Sequence, residues 1–184
     1  MKTRMRKWFV RALPLLHLML MASCAAPSAV WQVDPEMLSL RQDGFECHLQ
    51  AVKHLETGPV IGFHLTVINH GQRDLSVDWN RSRYLHAGKA NGPLVFAGAD
   101  PTAVREGRLP LETLAPGQTL EKEIAPLTLL AKAPVRDRSL PPDGTRISGG
   151  PLPPGKNTVR LVIVQDGRNQ VHDLTVHIKR MIPE

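Results

Sequence analysis

Seven histidines lie beyond the first 23 residues, and they are the side chains best suited to metal chemistry. Imidazole nitrogens are good ligands for zinc and copper. If segments 45–54 and 60–69 pair as a hairpin, His48 lies opposite Thr66 on the outward face, and His64 is its diagonal neighbour, about 7–8 Å away at the backbone. No third ligand is evident, so ordinary surface histidines are the alternative, and we expect no metal or other cofactor. The set is His48, His54, His64, His70, His86, His172 and His177.

Residues 150–157, GPLPPGKN, come within one position of a phosphate-binding P-loop. The last position must be Ser or Thr to bind magnesium, and here it is Asn157. Three prolines also remove backbone N–H groups that would cradle phosphate, and a strand pattern follows where the motif requires a helix. We therefore expect a turn here and no nucleotide binding.

No arrangement of a nucleophile with a base is evident in the sequence. The G-x-S-x-G elbow is missing, and the carboxylates are scattered without the local pair that glycosidases use. Cys47 has His48 beside it, but consecutive residues of a strand point to opposite faces, so the imidazole does not reach the thiol. We expect Cys47 to be a small core residue and the protein not to be an enzyme.

The N-terminal segment has the composition of an export signal. Residues 1–11 are basic, and residues 12–22 form an apolar run of about half the roughly 20 residues that a transmembrane helix needs. This pattern predicts a secretory signal peptide over residues 1–23. That segment holds five of the 23 Lys and Arg residues and no acid, so the remainder carries 18 basic against 17 acidic residues. A nearly neutral body gives no reason to expect nucleic-acid binding.

Met21-Ala22-Ser23-Cys24 follows the apolar run and resembles the lipobox of bacterial lipoproteins, with Met21 at the position where Leu is usual. The resemblance implies cleavage before Cys24, a thioether-linked lipid on its sulfur and acylation of the new amino terminus. Ala25 follows instead of the Asp that marks inner-membrane retention, so the resemblance implies an outer-membrane anchor, with the domain facing the periplasm. The alternative is ordinary secretion with cleavage after Ala26.

Composition and periodicity after the signal favour an all-β domain. Sixteen prolines and fourteen glycines argue against a helical bundle, and no stretch shows a convincing amphipathic helix. Apolar and polar residues alternate between turn clusters, which is typical of half-buried antiparallel strands. The expected strand segments are 45–54, 60–69, 75–79, 83–86, 94–96, 109–114, 119–124, 158–164 and 170–178.

The segments Phe63–Gly71 and Leu75–Trp79 resemble the second and third strands of immunoglobulin-like domains in bacterial envelope proteins. The Pro-Gly corners at Pro116 and Pro154 add to the likeness, although the paired cysteines of antibody domains are absent. The resemblance implies a single antiparallel β-sandwich of 7–10 short strands over residues 44–180.

Residues 24–43 contain two prolines and no sustained period, so we expect a lipidated tether, and we expect a loop over residues 131–156.

These features predict a non-enzymatic envelope lipoprotein whose sandwich binds or scaffolds a protein partner. Such a partner could add a strand at an open sheet edge. The alternative is a periplasmic metal-binding protein that uses His48 and His64. The lipid anchor would make the membrane itself a second partner.

Overall fold

The computed structural model describes residues 29–53, 55–130 and 149–182. The expected signal peptide, Cys24, His54 and positions 131–148 of the expected loop lie outside these residues. Ala29–Met181 group into one compact unit. Within the described ranges, no helix has both the length and the apolar character that a membrane crossing requires.

Antiparallel strands dominate the described residues, which confirms the predicted all-β class and sandwich-like architecture. Nine of the strands observed there begin within residues 44–180, in agreement with the expected 7–10, and two more precede them. The bounds are β1 Val30–Asp34, β2 Met37–Gln42, β3 Phe45–Lys53, β4 Val60–Asn69, β5 Leu75–Val77, β6 Arg83–His86, β7 Lys89–Phe96, β8 Glu112–Leu114, β9 Thr119–Pro126, β10 Gly155–Gln165 and β11 Arg168–Met181, with helix α1 Pro101–Glu106 and a 3₁₀ turn Leu127–Leu129.

The strands form two layers that share one strand. The first sheet runs β1-β11-β10, with β5 and β6 both on the far edge of β10 and β8 on β5. The second sheet runs β2-β3-β4-β9-β7. Strand β7 joins the layers because it pairs with β6 near its start and with β9 at its end. Gly92 lies where the partner changes, with a φ of 98° that favours glycine.

The core lies between the layers and is built by the period-two pattern of the sequence. Phe45, Cys47 and Leu49 of β3 are fully buried, while the residues between them are only partly covered. Full burial of a large apolar side chain contributes about 1.5–3 kcal/mol. The largest fully buried side chains are Trp79, Tyr84, Phe45, Phe63, Leu49, Leu65, Leu75, Leu94, Ile124, Leu152, Leu161 and Ile163.

The prediction of a tether over residues 24–43 is wrong for the part that the structure describes. Strands β1 and β2 occupy most of it, and they lie on opposite sheets because the chain turns at Asp34-Pro35. Leu38 and Leu40 of β2 pack against the core, and Val33 of β1 is buried. The two strands have only five and six residues, so each shows too few alternations of apolar and polar residues to be recognised in the sequence. In addition, β1 pairs with the distant end of β11, which no local pattern indicates.

Helix α1 is a second departure from the expectation. It spans fewer than two turns, which is too short for a helical period to show in the sequence. Its signal is in the caps: the Asp100 side chain accepts from the backbone N–H of Thr102, Pro101 opens the helix, and Gly107 ends it with a φ of 64°. The strand expected over residues 109–114 is correspondingly shorter and begins at Glu112.

At the loop expected over residues 131–156, the described residues on either side of positions 131–148 are held together. Leu130 forms a β-bridge with Gly149, and the Gly150 N–H donates to the carbonyl of Leu129. A Cβ at Gly149 would come within 1.8 Å of the Ile61 carbonyl oxygen, so this close approach requires glycine. Strand β10 begins at Gly155, so the last two residues of the expected loop belong to a strand.

Candidate functional site

The outward face of the second sheet carries His48 and His64, the pair of histidines that the sequence predicted to be neighbours. The β3–β4 ladder pairs His48 with Thr66 and Gln50 with His64, as the hairpin prediction requires. The two imidazoles therefore belong to the same face and are diagonal neighbours. The predicted register is confirmed, and it fixes which other side chains can approach each ring.

His48 has its closest polar partners on β2 and β3. Ser39 lies directly opposite it in the β2–β3 ladder, and the Ser39 Oγ is 2.8 Å from the His48 Nδ1. On the other side of the ring, the His48 Nε2 lies 3.6 Å from a carboxylate oxygen of Glu46. The serine therefore positions the ring with its second nitrogen toward Glu46.

Glu46 stands at the centre of a group of polar side chains, which we name the Glu46 cluster. Its Oε1 faces His48, and its Oε2 lies 3.3 Å from the His70 Nε2 and 3.7 Å from an Arg41 guanidinium nitrogen. Glu46 keeps 20 % of its side-chain surface exposed, His48 28 % and His70 46 %. The Glu46 cluster consists of Ser39, Arg41, Glu46, His48 and His70.

The Glu46 cluster was missed by the sequence analysis for two reasons. Ser39 and Arg41 lie on β2, a strand that the prediction of a tether concealed. His70 follows the last residue of β4, and its backbone N–H donates to the Gly44 carbonyl, which places it beside the start of β3. The sequence offered one signal: Glu46 and His48 are two positions apart on β3, so their side chains lie on the same face of the strand.

The donor groups of the described residues do not converge on a metal position as they stand. No set of three His, Cys, Asp or Glu side chains in this part of the chain is arranged to hold an ion. Among the described residues, His64 forms no hydrogen bond or ion pair with the Glu46 cluster. The structure therefore changes the candidate partner of His48 from His64 to Glu46 and His70.

One edge of the long strand β11 in the first sheet is only partly covered. Strand β10 pairs with β11 on one edge, and β1 covers the other edge only from His177 to Met181. Along residues 168–176, that second edge has no strand partner among the described residues. Val171 lies in the middle of this stretch, points outward and keeps 58 % of its surface exposed. We call residues 168–176 the open edge of β11.

His172 lies on the inward-facing side of the open edge, in line with buried Leu174 and Val176. Its ring meets the ring of Phe45 at 5.3 Å between centroids. The Nε2 atom is buried and has no hydrogen-bond partner within the described structure. Burial lowers the pKa of His172, and the nearby charge of Asp173 opposes this effect in part.

Cys47 is fully buried with a free thiol, as the sequence predicted. Burial, reinforced by the negative charge of Glu46, raises the pKa of the thiol to about 12. The thiolate is the reactive form of cysteine, so this side chain is chemically inert in the native state. Cys47 is a core residue and contributes no nucleophile to the face that carries His48.

A shallow cavity of about 210 Å³ opens beside β1 and β3. It is smaller than the roughly 300–1,000 Å³ typical of small-molecule sites. Its charged lining consists of two carboxylates and one amine, which are not joined by a hydrogen bond or ion pair in the described structure. The lining residues are Val33, Glu36, Gln50, Ala51, Lys53 and Glu56.

Comparison with known proteins leaves the description of these surfaces unchanged. No protein-family model matches the chain, and no curated protein or solved structure is significantly similar to it. The all-β fold class follows from the strands and their pairing in this structure alone. The likeness to lipoproteins and to immunoglobulin-like domains stays a prediction from the sequence.

Proposed function

We propose that the protein is a non-enzymatic lipoprotein of the bacterial envelope, held to the outer membrane through Cys24, whose β-sandwich binds a protein partner in the periplasm. The lipobox-like sequence supports the anchor, and the open edge of β11 supports the binding role. An extended segment of a partner pairs with such an edge through backbone hydrogen bonds and gains specificity from the side chains beside it.

The composition of the open edge favours strand addition. Proteins protect exposed edges with lysine, proline or bulges, because unpaired backbone groups otherwise recruit other strands. Residues 168–176 contain neither lysine nor proline. The acidic side chain of this stretch, Asp173, is engaged by Arg160 through two hydrogen bonds of 2.8 Å, so its charge is directed to β10 and away from the free edge.

The side chains beside the open edge suit a partner strand of mixed character. Val171 presents an apolar group on the outward face of β11, next to the position that an added strand would take. The hydroxyl of Thr175, on the same face, is bonded to the Thr158 hydroxyl of β10 at 2.9 Å, which leaves its methyl group for an added strand. Cross-strand pairs with such residues contribute about 0.2–1 kcal/mol each. Specificity would therefore come from several modest contacts along the edge, with most of the affinity supplied by the backbone.

Site-specific photocrosslinking in cells tests the binding role. A benzophenone amino acid replaces Val171 in the full chain, and a matched variant carries it at Thr119, an exposed position on β9 in the other sheet. We expect discrete protein adducts from position 171 that are absent at position 119. Equal adduct patterns at the two positions, or none at position 171, would contradict binding along this edge.

A strand-blocking substitution gives an independent check. Val171→Lys places a charge beside the open edge, whereas Thr119→Lys adds the same charge elsewhere on the surface. With the benzophenone at Gln170, we expect adduct yield to fall at least tenfold with Val171→Lys and to be unchanged with Thr119→Lys. An undiminished yield with Val171→Lys would show that the crosslinked partner does not use the edge.

A further inference from the structure

We propose that the Glu46 cluster binds one divalent zinc ion through the His48 Nε2, the His70 Nε2 and the carboxylate of Glu46, with water completing the coordination. This site is independent of the partner-binding role and differs from the pair His48 and His64 considered from the sequence. Two imidazoles with one carboxylate form a donor set that zinc accepts readily.

The distances around Glu46 match the spacing of ligands on one zinc ion. Zinc binds nitrogen and oxygen at about 2.0–2.2 Å, so two ligands of a tetrahedral ion stand about 3.4 Å apart. The His48 Nε2 is 3.6 Å and the His70 Nε2 is 3.3 Å from the carboxylate oxygens of Glu46. Each imidazole is therefore at the ligand-to-ligand distance from one carboxylate oxygen, His48 from Oε1 and His70 from Oε2. The two rings must still converge before the three donors share one ion.

The second nitrogen of His48 is held as metal-binding histidines usually are. The other ring nitrogen of such a histidine donates to an oxygen, which fixes the tautomer and the orientation of the ring. With the proton on Nδ1, His48 donates to the Ser39 Oγ at 2.8 Å and presents the lone pair of Nε2 toward Glu46. Ser39 is thus a positioning residue for the proposed site.

Two adjustments bring the three donors onto one ion. The His70 Nε2 donates a hydrogen bond to the Glu46 Oε2, so His70 must carry its proton on Nδ1 instead in order to bind the ion. His70 is the most exposed of the ligands and follows the end of β4, so its ring can turn toward His48 with little repacking. Arg41 lies 3.7 Å from the Glu46 Oε2, but 78 % of its side-chain surface is exposed, so it can move into solvent. Its positive charge opposes a divalent cation, so removal of that charge should strengthen binding.

Calorimetric titration of the purified full chain with zinc chloride tests the site, after chelator treatment and without a histidine tag. We expect one ion per chain and a loss of at least tenfold in affinity with His48→Gln, His70→Gln or Glu46→Gln. His64→Gln is the matched control, because His64 lies on the same face outside the cluster, and it should leave the affinity unchanged. Circular dichroism establishes that each variant is folded.

Two further variants separate a metal site from a set of surface ion pairs. Arg41→Gln should tighten zinc binding several-fold, whereas the loss of a merely structural ion pair would not. Ser39→Ala should weaken binding by about 10-fold, the usual effect of losing a partner of a ligating histidine. The proposal is overturned if the wild-type chain binds no zinc, if His70→Gln retains full affinity, or if His64→Gln weakens binding as much as His48→Gln does.

Discussion

The ring of His172 stands edge-on to the ring of Phe45, with 5.3 Å between the centroids and 74° between the planes. This contact joins β11 of the first sheet to β3 of the second at the margin of the core. The imidazole nitrogen Nε2 is buried there without a hydrogen-bond partner in the described structure. The contact therefore suits a neutral imidazole and disfavours a charged one.

We predict that His172 makes the fold sensitive to acid. Because burial lowers its pKa in the folded state, the unfolded chain takes up this proton first as the pH falls through about 6.5. The free energy of unfolding should therefore drop progressively below that pH, and His172→Leu should flatten the drop. Urea unfolding at several pH values between about 5 and 8 measures the effect.

His177→Leu, at an exposed position of the same strand, is the control, and an identical flattening in both variants would contradict the role of His172.

A second prediction concerns the buried hydroxyl of Tyr84, which donates to the Asn157 Oδ1. Tyr84→Phe should lower the free energy of unfolding by about 1–3 kcal/mol, because it leaves a buried acceptor unsatisfied. Ser76→Ala removes the hydroxyl of an exposed pair with Thr113 and should cost far less. Chemical denaturation measures the free energy of unfolding of both variants. Equal losses would contradict the prediction that the buried hydrogen bond contributes more than the exposed one.

Asn157 also organises the turn at residues 150–157, which superficially resembles a P-loop. Its side-chain nitrogen donates to the carbonyls of Pro153 and Gly155, at 3.0 and 2.9 Å. Asn157→Thr would bring the segment closer to a phosphate-binding sequence, yet it removes these donors. We predict lower thermal stability for this variant and no gain of nucleotide binding. Differential scanning calorimetry with and without ATP and magnesium measures both, and a stabilisation by the nucleotide would contradict the structural role.

A fourth side chain, Cys47, should resist alkylation in the native protein. Its thiol is fully buried and its pKa is raised to about 12, so almost none of it is thiolate at about pH 8. Iodoacetamide treatment followed by peptide mapping should find Cys47 unmodified in the native state and modified in concentrated urea. Rapid native modification would indicate an opening of β3 that the structure does not contain.

The proposed anchor makes a prediction about mass. The protein extracted from membranes should weigh as much as residues 24–184 plus acyl chains, since the lipobox resemblance implies cleavage before Cys24. Cys24→Ser should abolish both the added mass and the membrane fractionation. A soluble, unacylated product that starts at Pro27 would instead support ordinary secretion and remove the anchor from the proposed function.

The sequence was most informative where strand partners are neighbours along the chain. The strand segments expected over residues 158–164 and 170–178 pair as the β10–β11 hairpin. Its turn residues, Asp166 and Gly167, adopt the positive φ values, 52° and 71°, that such a two-residue turn requires. The β3–β4 register was predictable for the same reason. In each case the turn and the alternation together define the pairing.

The sequence was least informative where contacts join distant segments. Strand β1 pairs with residues 177–181, about 150 positions away, and no local pattern reports such a pairing. The Glu46 cluster was missed for a different reason, since β2 and β3 are neighbours along the chain: the tether predicted over residues 24–43 concealed β2, the strand that carries Arg41. His70 depends on a turn geometry after β4 that no residue spacing specifies.

The start of β1 at Val30 also limits the distance between the folded domain and a lipid attached to Cys24. Six residue steps separate the two positions, and an extended chain spans at most about 3.6 Å per step, or roughly 20 Å in all. That distance is less than half of the roughly 46 Å that the 14 residues of β11 span at about 3.3 Å each, so a sandwich anchored in this way would stay beside the bilayer surface. Any partner would have to come to the membrane to meet it.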